Sequence, residues 1–132
     1  MKIHRTTYRV IYGDTDAMGV VYNSNYLRLF EIGRNEFFRD LGLPYRGIEG
    51  RGLHLPVSET FCKFVSPARY DDLLEIDTRI DPKIRAGLKF DYQIFKEDGN
   101  VLIAKGYTKH AFVNSEGRVV RPPDYVAWLI GS

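Results

Sequence analysis

Tyr12-Gly13-Asp14-Thr15-Asp16-Ala17-Met18-Gly19-Val20-Val21-Tyr22-Asn23 is the stretch on which the reading of this chain turns. Before it, over 4–12, Tyr8, Val10 and Tyr12 alternate with Arg5, Thr7 and Arg9, the period-two pattern of a half-buried strand. After it, Tyr26, Phe30, Gly33, Phe37 and Leu41 recur at steps of three and four, with Leu27, Ile32 and Phe38 widening the face, which predicts a helix over 24–41. Asn23 or Ser24 is placed to cap its start, and Gly42 followed by Pro44 stops it. Gly33 sits on the apolar face, where the lack of a side chain lets a strand approach closely. The loop between strand and helix therefore holds two carboxylates, Asp14 and Asp16, beside a helix start. A carboxylate facing free helix N–H groups can activate a nucleophile while those N–H groups hold an oxyanion.

Working outward, residues 43–52 hold Pro44, Gly47, Gly50 and Gly52 and read as an irregular connection. A strand is expected over 53–64. In the next, Leu74, Ile76, Thr78 and Ile80 alternate with Glu75, Asp77 and Arg79. A fourth has Phe90, Tyr92 and Ile94 facing inward and Asp91 and Gln93 outward. Glu97-Asp98-Gly99-Asn100 and Asn114-Ser115-Glu116-Gly117 are hairpin signals around a long strand over 101–113 and a short one over 118–120. A short helix over 124–130, capped by Asp124, ends the chain. One helix with a run of hairpin-joined strands is α+β, the helix packed on one face of a mostly antiparallel sheet. A single helix cannot cover strands this long, so exposed edges predict self-association, most simply a two-fold dimer.

The chain's 132 residues fit one domain spanning 1–132, and 44% hydrophobic residues support a packed core. A net charge of +2 without a run of basic residues argues against nucleic acid as a partner. The single cysteine, Cys62, excludes an internal disulfide and a Cys-based zinc cluster; it reads as a buried, inert thiol. No 18-residue apolar run crosses a membrane, and Met1-Lys2-Ile3-His4-Arg5 lacks the apolar segment of a signal peptide, so a reducing cytoplasm is the expected setting. His4, His54 and His110 share no metal-ligand spacing, so no metal is expected. No G-x-S-x-G nucleophile turn and no Gly-rich phosphate or dinucleotide loop is present.

Asp14-Thr15-Asp16-Ala17-Met18-Gly19-Val20-Val21-Tyr22-Asn23-Ser24-Asn25-Tyr26-Leu27, followed by Phe30-Glu31 and Arg34, resembles the hot-dog-fold acyl-CoA thioesterases, in the branch of 4-hydroxybenzoyl-CoA thioesterase and the Tol-Pal-associated thioesterases. Pro67-Ala68-Arg69-Tyr70-Asp71-Asp72-Leu73-Leu74 resembles the same family's turn before its third strand. The resemblance implies a long central helix wrapped by a curled antiparallel sheet, sheets joined edge to edge in a homodimer with sites at the interface, and dimers that pair into a homotetramer. It implies hydrolysis of an acyl-CoA to a carboxylate and coenzyme A, which is part of the substrate; no separate cofactor is called for. One departure is visible: the Tol-Pal-associated enzymes resemble Tyr-His at the helix entry, where this chain has Tyr22-Asn23.

The resemblance places the catalytic carboxylate on Asp16 and the oxyanion-binding N–H on Asn23. Asp16 then serves as general base for water or as nucleophile through a mixed anhydride. The blander reading is a carboxylate that only bonds loop N–H groups in an Asx turn. Asp14, two residues away and so pointing oppositely in an extended segment, takes the structural role. Tyr22 and Tyr26 are candidates for the acyl pocket as well as for the core. Arg85 and Lys89, with Lys83, flank the turn where the family's coenzyme A phosphate contacts lie. Glu31 is the rival carboxylate, since a related branch carries its catalytic acid on the helix. Two other functions stay open: a non-catalytic module that binds acyl-CoA as a sensor, where the lack of a separate DNA-binding segment speaks against a regulator, and a hot-dog dehydratase or hydratase, against which the absence of His from 12–30 speaks.

Overall fold

A computed structural model describes residues 3–83, 86–97 and 101–131, with the backbone alone at 128–131. Its elements in chain order are β1 (Ile3–Arg9), α1 (Asn25–Asp40), α2 (Tyr45–Gly50), β2 (Leu53–His54), β3 (Val57–Phe64), β4 (Leu73–Ile80), β5 (Leu88–Lys96), β6 (Leu102–His110), β7 (Val113–Asn114) and α3 (Asp124–Gly131). Five strands form one antiparallel sheet in the order β1-β4-β5-β6-β3; β2 and β7 pair separately. The α+β expectation of one long helix on one face of an antiparallel sheet holds.

The inner face follows from the alternation. Leu88, Phe90, Tyr92 and Ile94 of β5 are buried, as are Leu74, Ile76, Thr78 and Ile80 of β4. Their register places Tyr92 opposite Thr78, and Phe90 opposite Thr108 of β6. Onto this face α1 lays Tyr26, Leu29, Phe30, Gly33, Phe37 and Phe38. The Phe30 and Tyr92 rings stack with centroids 4.2 Å apart, and Phe37 and Phe38 meet Phe90 edge-on. Gly33 lies over β4: a Cβ there would run into Thr78 Oγ1 and come within 2.9 Å of Ile76 Cγ2, so the close approach expected from its place on the helix face is present.

The packing is one-sided. Helix α1 rests on β4 and β1 and reaches β5. Strand β3 meets it through the edge-on Tyr26–Phe64 contact. Every residue of β3 except Cys62 is exposed, and its outer edge has no partner strand among the described residues. Half-buried Cys62 has its thiol pushed up to about 11 by burial, which keeps it protonated.

Several boundaries differ from the sequence reading. Strand β1 stops at Arg9; Tyr12 lies on a short 3-10 turn and is 72% exposed rather than inward, because the chain must turn to begin the hairpin. The connection over 43–52 contains the six-residue α2, whose Ile48 is fully buried. The strand expected over 53–64 is split into β2 and β3 around Leu55-Pro56, since proline cannot donate to a ladder. Strand β6 ends at His110, and the expected strand over 118–120 is reduced to a bridge between Val113 and Val119. On α1, Leu27 is exposed and Leu29 is buried in its place. Asp98, Gly99 and Asn100 of one hairpin signal lie outside the described residues.

Candidate active site

The stretch before α1 is itself a small β-hairpin. The Tyr22 N–H donates to the Asp14 carbonyl (2.9 Å), the Asp16 N–H to the Val20 carbonyl (2.9 Å) and the Gly19 N–H to the Asp16 carbonyl (3.0 Å). Thr15 and Val21 bridge between these pairs. The tip is therefore Ala17, Met18 and Gly19, with Gly19 at φ 79°, a three-residue hairpin closed by a left-handed glycine. Val21 N–H also bonds the Ala68 carbonyl (2.8 Å), which pins the hairpin to the turn before β4.

Its two carboxylates have opposite environments. Asp14 is 3% exposed and saturated: it accepts from Tyr8 Oη (2.8 Å) and the Ile11 N–H (2.9 Å) and pairs with the Arg28 guanidinium of α1. Asn25 Nδ2 donates to the Asp14 carbonyl (2.8 Å), so Asp14 ties β1, the hairpin and the helix start together. Asp16 is half-exposed. Its Oδ1 accepts from the Met18 N–H (2.8 Å) and, more weakly, from the Val20 N–H (3.5 Å). Its Oδ2 has no partner among the described residues. The Asx turn of the blander reading is thus present, yet it occupies one oxygen and orients the other.

At the helix start the N–H groups of Asn25, Tyr26 and Leu27 are taken by the carbonyls of Tyr22, Asn23 and Ser24. Ser24 holds the cap position without a side-chain cap bond. The N–H groups of Asn23 and Ser24 carry no hydrogen bond among the described residues, and both residues are exposed. Two successive free donors at a helix start form an anion-receiving surface.

A groove opens one turn further along α1. It is lined by Leu27, Arg28, Glu31, Arg34, Val57, Thr60 and Thr108 and holds about 360 Å³. Glu31 and Arg34 also line a recess of about 170 Å³ floored by Phe38, Leu55 and Phe90. A cleft of about 390 Å³ lies between Arg79, Gln93, Lys105 and Tyr107 on the sheet, away from the hairpin; none of the loop residues lines it.

Behind the groove runs a buried polar chain. His110 Nδ1 lies 2.9 Å from the Leu55 carbonyl, which can only accept, so Nδ1 carries the hydrogen. Burial pushes the imidazole down to about 4, so the ring is neutral and Nε2 accepts from Thr108 Oγ1 (2.8 Å). Thr108 Oγ1 in turn accepts from Tyr92 Oη (2.7 Å), and Arg34 donates to that phenol oxygen. No motif announced this chain. Thr108 and His110 stand two apart on one strand, but their partners on α1, β5 and beside β2 appear only with the register.

The hairpin thus brings Asp16, Tyr22 and Asn23 together; Tyr22 is 53% exposed. Tyr26 faces inward, 3% exposed, its hydroxyl bonded to the Ala68 backbone and pushed up to about 12 by burial, so the core half of its two readings describes where it lies. Lys89 projects from the face of the sheet away from α1, between Asp81 (3.4 Å) and Asp91 (3.5 Å) and over the Tyr107 ring. Arg85 lies outside the described residues. Glu31 stands on α1, 60% exposed and 3.9 Å from Arg34.

Comparison with known proteins bears on the family and the fold. Residues 10–129 match the model of the thioesterase-like superfamily. A putative esterase of Aquifex aeolicus is 38% identical over 89% of this chain and 90% of its own length. The acyl-CoA thioester hydrolase YbgC of Escherichia coli O6:H1 is 32% identical over 76% and 75%. The crystal structure of a hypothetical protein from Thermus thermophilus superposes with a TM-score of 0.90 at 35% identity, covering 96% of each chain. With this match over nearly its whole length, and with one long helix on a five-stranded antiparallel sheet, the chain belongs to the thioesterase-like superfamily and has its hot-dog fold.

Proposed function

We propose that this protein hydrolyses an acyl-CoA thioester with Asp16 as general base and the N–H groups of Asn23 and Ser24 as the oxyanion site. The hydrolase class rests on the family: the chain is an acyl-CoA thioester hydrolase by its membership and its relatives. The residue roles rest on one observation. The hairpin holds Asp16 by one oxygen and returns directly to the helix start, where two backbone donors are free.

The chemistry asks little more. The leaving thiolate is the conjugate base of a thiol of pKa about 8.5, so no strong acid is needed to expel it. With Oδ1 held by loop N–H groups, Oδ2 of Asp16 can take a proton from water as it attacks the carbonyl. The oxygen that gains charge is received by the Asn23 and Ser24 donors. The acyl portion lies in the groove along α1. A metal or redox cofactor supplies nothing that this route lacks.

The free edge of β3 carries Val57, Phe61 and Phe64, each close to half exposed. Pairing two such edges antiparallel would satisfy their backbone groups, cover these side chains and wall off the groove, so a homodimer through β3 is the assembly we favour. A reducing, cytoplasmic setting suits the protonated Cys62. Among the described residues no helix is long and apolar enough to cross a membrane.

Thiol release from a panel of aliphatic and aromatic acyl-CoAs tests the assignment, with Asp16→Asn beside the wild type. Retained activity in the variant would move the carboxylate role to Glu31. Single turnover in heavy-oxygen water tests the alternative: label in Asp16 identifies a nucleophile whose anhydride water opens at the aspartyl carbonyl, whereas a base gives label in the product acid alone and no trappable acyl-enzyme.

A further inference from the structure

Arg34 stands where the groove and the recess meet and lines both, the groove with Leu27, Val57 and Thr60, the recess with Phe38 and Leu55. Its side chain is 16% exposed. Its one ion-pair partner among the described residues is Glu31, 3.9 Å away and 60% exposed. A contact of that length to a solvated carboxylate offsets little of the cost of withdrawing a guanidinium from water. The groups on the sheet side of Arg34 do not supply the missing charge. His110 is neutral, and the Tyr92–Thr108–His110 chain is already complete, so Tyr92 Oη takes one of Arg34's five N–H donors and the chain offers no anion. The guanidinium thus keeps spare donors in a recess where Phe38, Leu55 and Phe90 stand beside the neutral groups of Asn35, Tyr45 and His110.

We propose that Arg34 binds a carboxylate at the far end of the acyl group, so that the preferred substrates are coenzyme A monothioesters of dicarboxylic acids. This deepens the hydrolase reading above and rests on it for the identity of the ligand. A methyl-ended chain entering the recess would strip water from the guanidinium and return nothing. A carboxylate returns two parallel charge-assisted hydrogen bonds in the planar geometry that arginine presents. Phe38, Phe90 and Leu55 meanwhile pack the methylenes that precede it. Glu31 competes for the same guanidinium from the solvent side and weakens the selectivity without setting it.

The test uses matched pairs that differ only at the chain end: adipoyl-CoA against hexanoyl-CoA, and suberoyl-CoA against octanoyl-CoA. Affinities are measured by calorimetry on Asp16→Asn protein, and kcat/KM by thiol release with the wild type. The carboxylate-ended partner should be favoured at least about tenfold in each assay, as expected for hydrogen bonds to a charged group. Arg34→Met should bring the ratio within about twofold, Arg34→Lys should keep part of it, and Glu31→Gln should raise it. Both members of a pair meet the same folded fraction, so the ratio is immune to partial misfolding of a variant. Equal affinity and equal kcat/KM for the two members in the wild type would overturn the proposal while leaving the hydrolase reading intact. So would a preference that survives Arg34→Met. Carboxylate-selective binding by a protein that hydrolyses neither member would do the reverse, sustaining the role of Arg34 and removing the hydrolase reading.

Discussion

The two flanks of α1 differ in what they meet. The flank on β1, β4 and β5 is closed: Phe30 stacks on Tyr92, Phe37 and Phe38 wedge against Phe90, and Gly33 lets the helix sit against Thr78 and Ile76. The flank toward β6 and β3 is open, lined by Leu27, Glu31, Arg34, Thr60 and Thr108 beside an unpaired strand edge. The closed flank removes apolar surface from water and carries stability. The open flank leaves donors and carboxylates with room for a ligand. One helix serves both because Leu27, Glu31 and Arg34 run over about two turns beside its wide apolar face.

The sharpest way to break this division is Asp16→Asn. Turnover should fall by at least about a hundredfold, with melting temperature shifted by no more than a few degrees, since only one loop-capping oxygen is altered. A large loss of stability instead would make Asp16 a structural residue like its neighbour. Asp14→Ala should do the opposite. It removes the buried acceptor of Tyr8, the Ile11 N–H and the half-exposed Arg28, so denaturant titration should show a loss of about 2 kcal/mol.

His110 sits on the boundary between the flanks and gives a pH signature. Its folded pKa, about 4, lies below the ordinary value of 6.5. The unfolded chain therefore binds the proton first, and stability rises with pH between those values and is lost as pH falls from 6.5 toward 4. The His110 share of that loss should reach roughly 2–3 kcal/mol. Urea midpoints across this window should fall less steeply for His110→Gln than for the wild type.

On the closed flank, Gly33→Ala should cost about 1–3 kcal/mol, because the added methyl meets Thr78 Oγ1 and Ile76 Cγ2. The kcat of the folded fraction should stay unchanged. The smallest effect belongs to exposed Leu27: Leu27→Ala should move stability by less than about 0.5 kcal/mol while raising KM for long acyl chains a few-fold. If Leu27→Ala destabilised the protein as much as Gly33→Ala, the open flank would be core after all.

Much of this was legible in the residues. The helix, the inward faces of β4 and β5 and the close approach at Gly33 follow from periodicity, because burial on one face repeats with the geometry of the element itself. The hairpin inside 14–23 was not, since its two short arms are too brief for alternation to register. Helix α2 escaped for a related reason: Gly47 and Gly50 within its six residues read as loop, and only the burial of Ile48 gives it a face.

What the sequence determined by itself was the class of fold and the place of the chemistry, two carboxylates set before a helix start. Which carboxylate is free was decided by tertiary structure. Asp14 is consumed by the nearby Ile11 N–H and by Tyr8 and Arg28, which β1 and α1 bring to it, while the hairpin tip holds Asp16 by one oxygen. The environment of Arg34 was decided the same way, because a partner brought from β5 or β6 by strand register leaves no trace in local spacing. Periodicity records how a segment meets its own core; the pairing of charges across the sheet depends on which distant segments that core brings together.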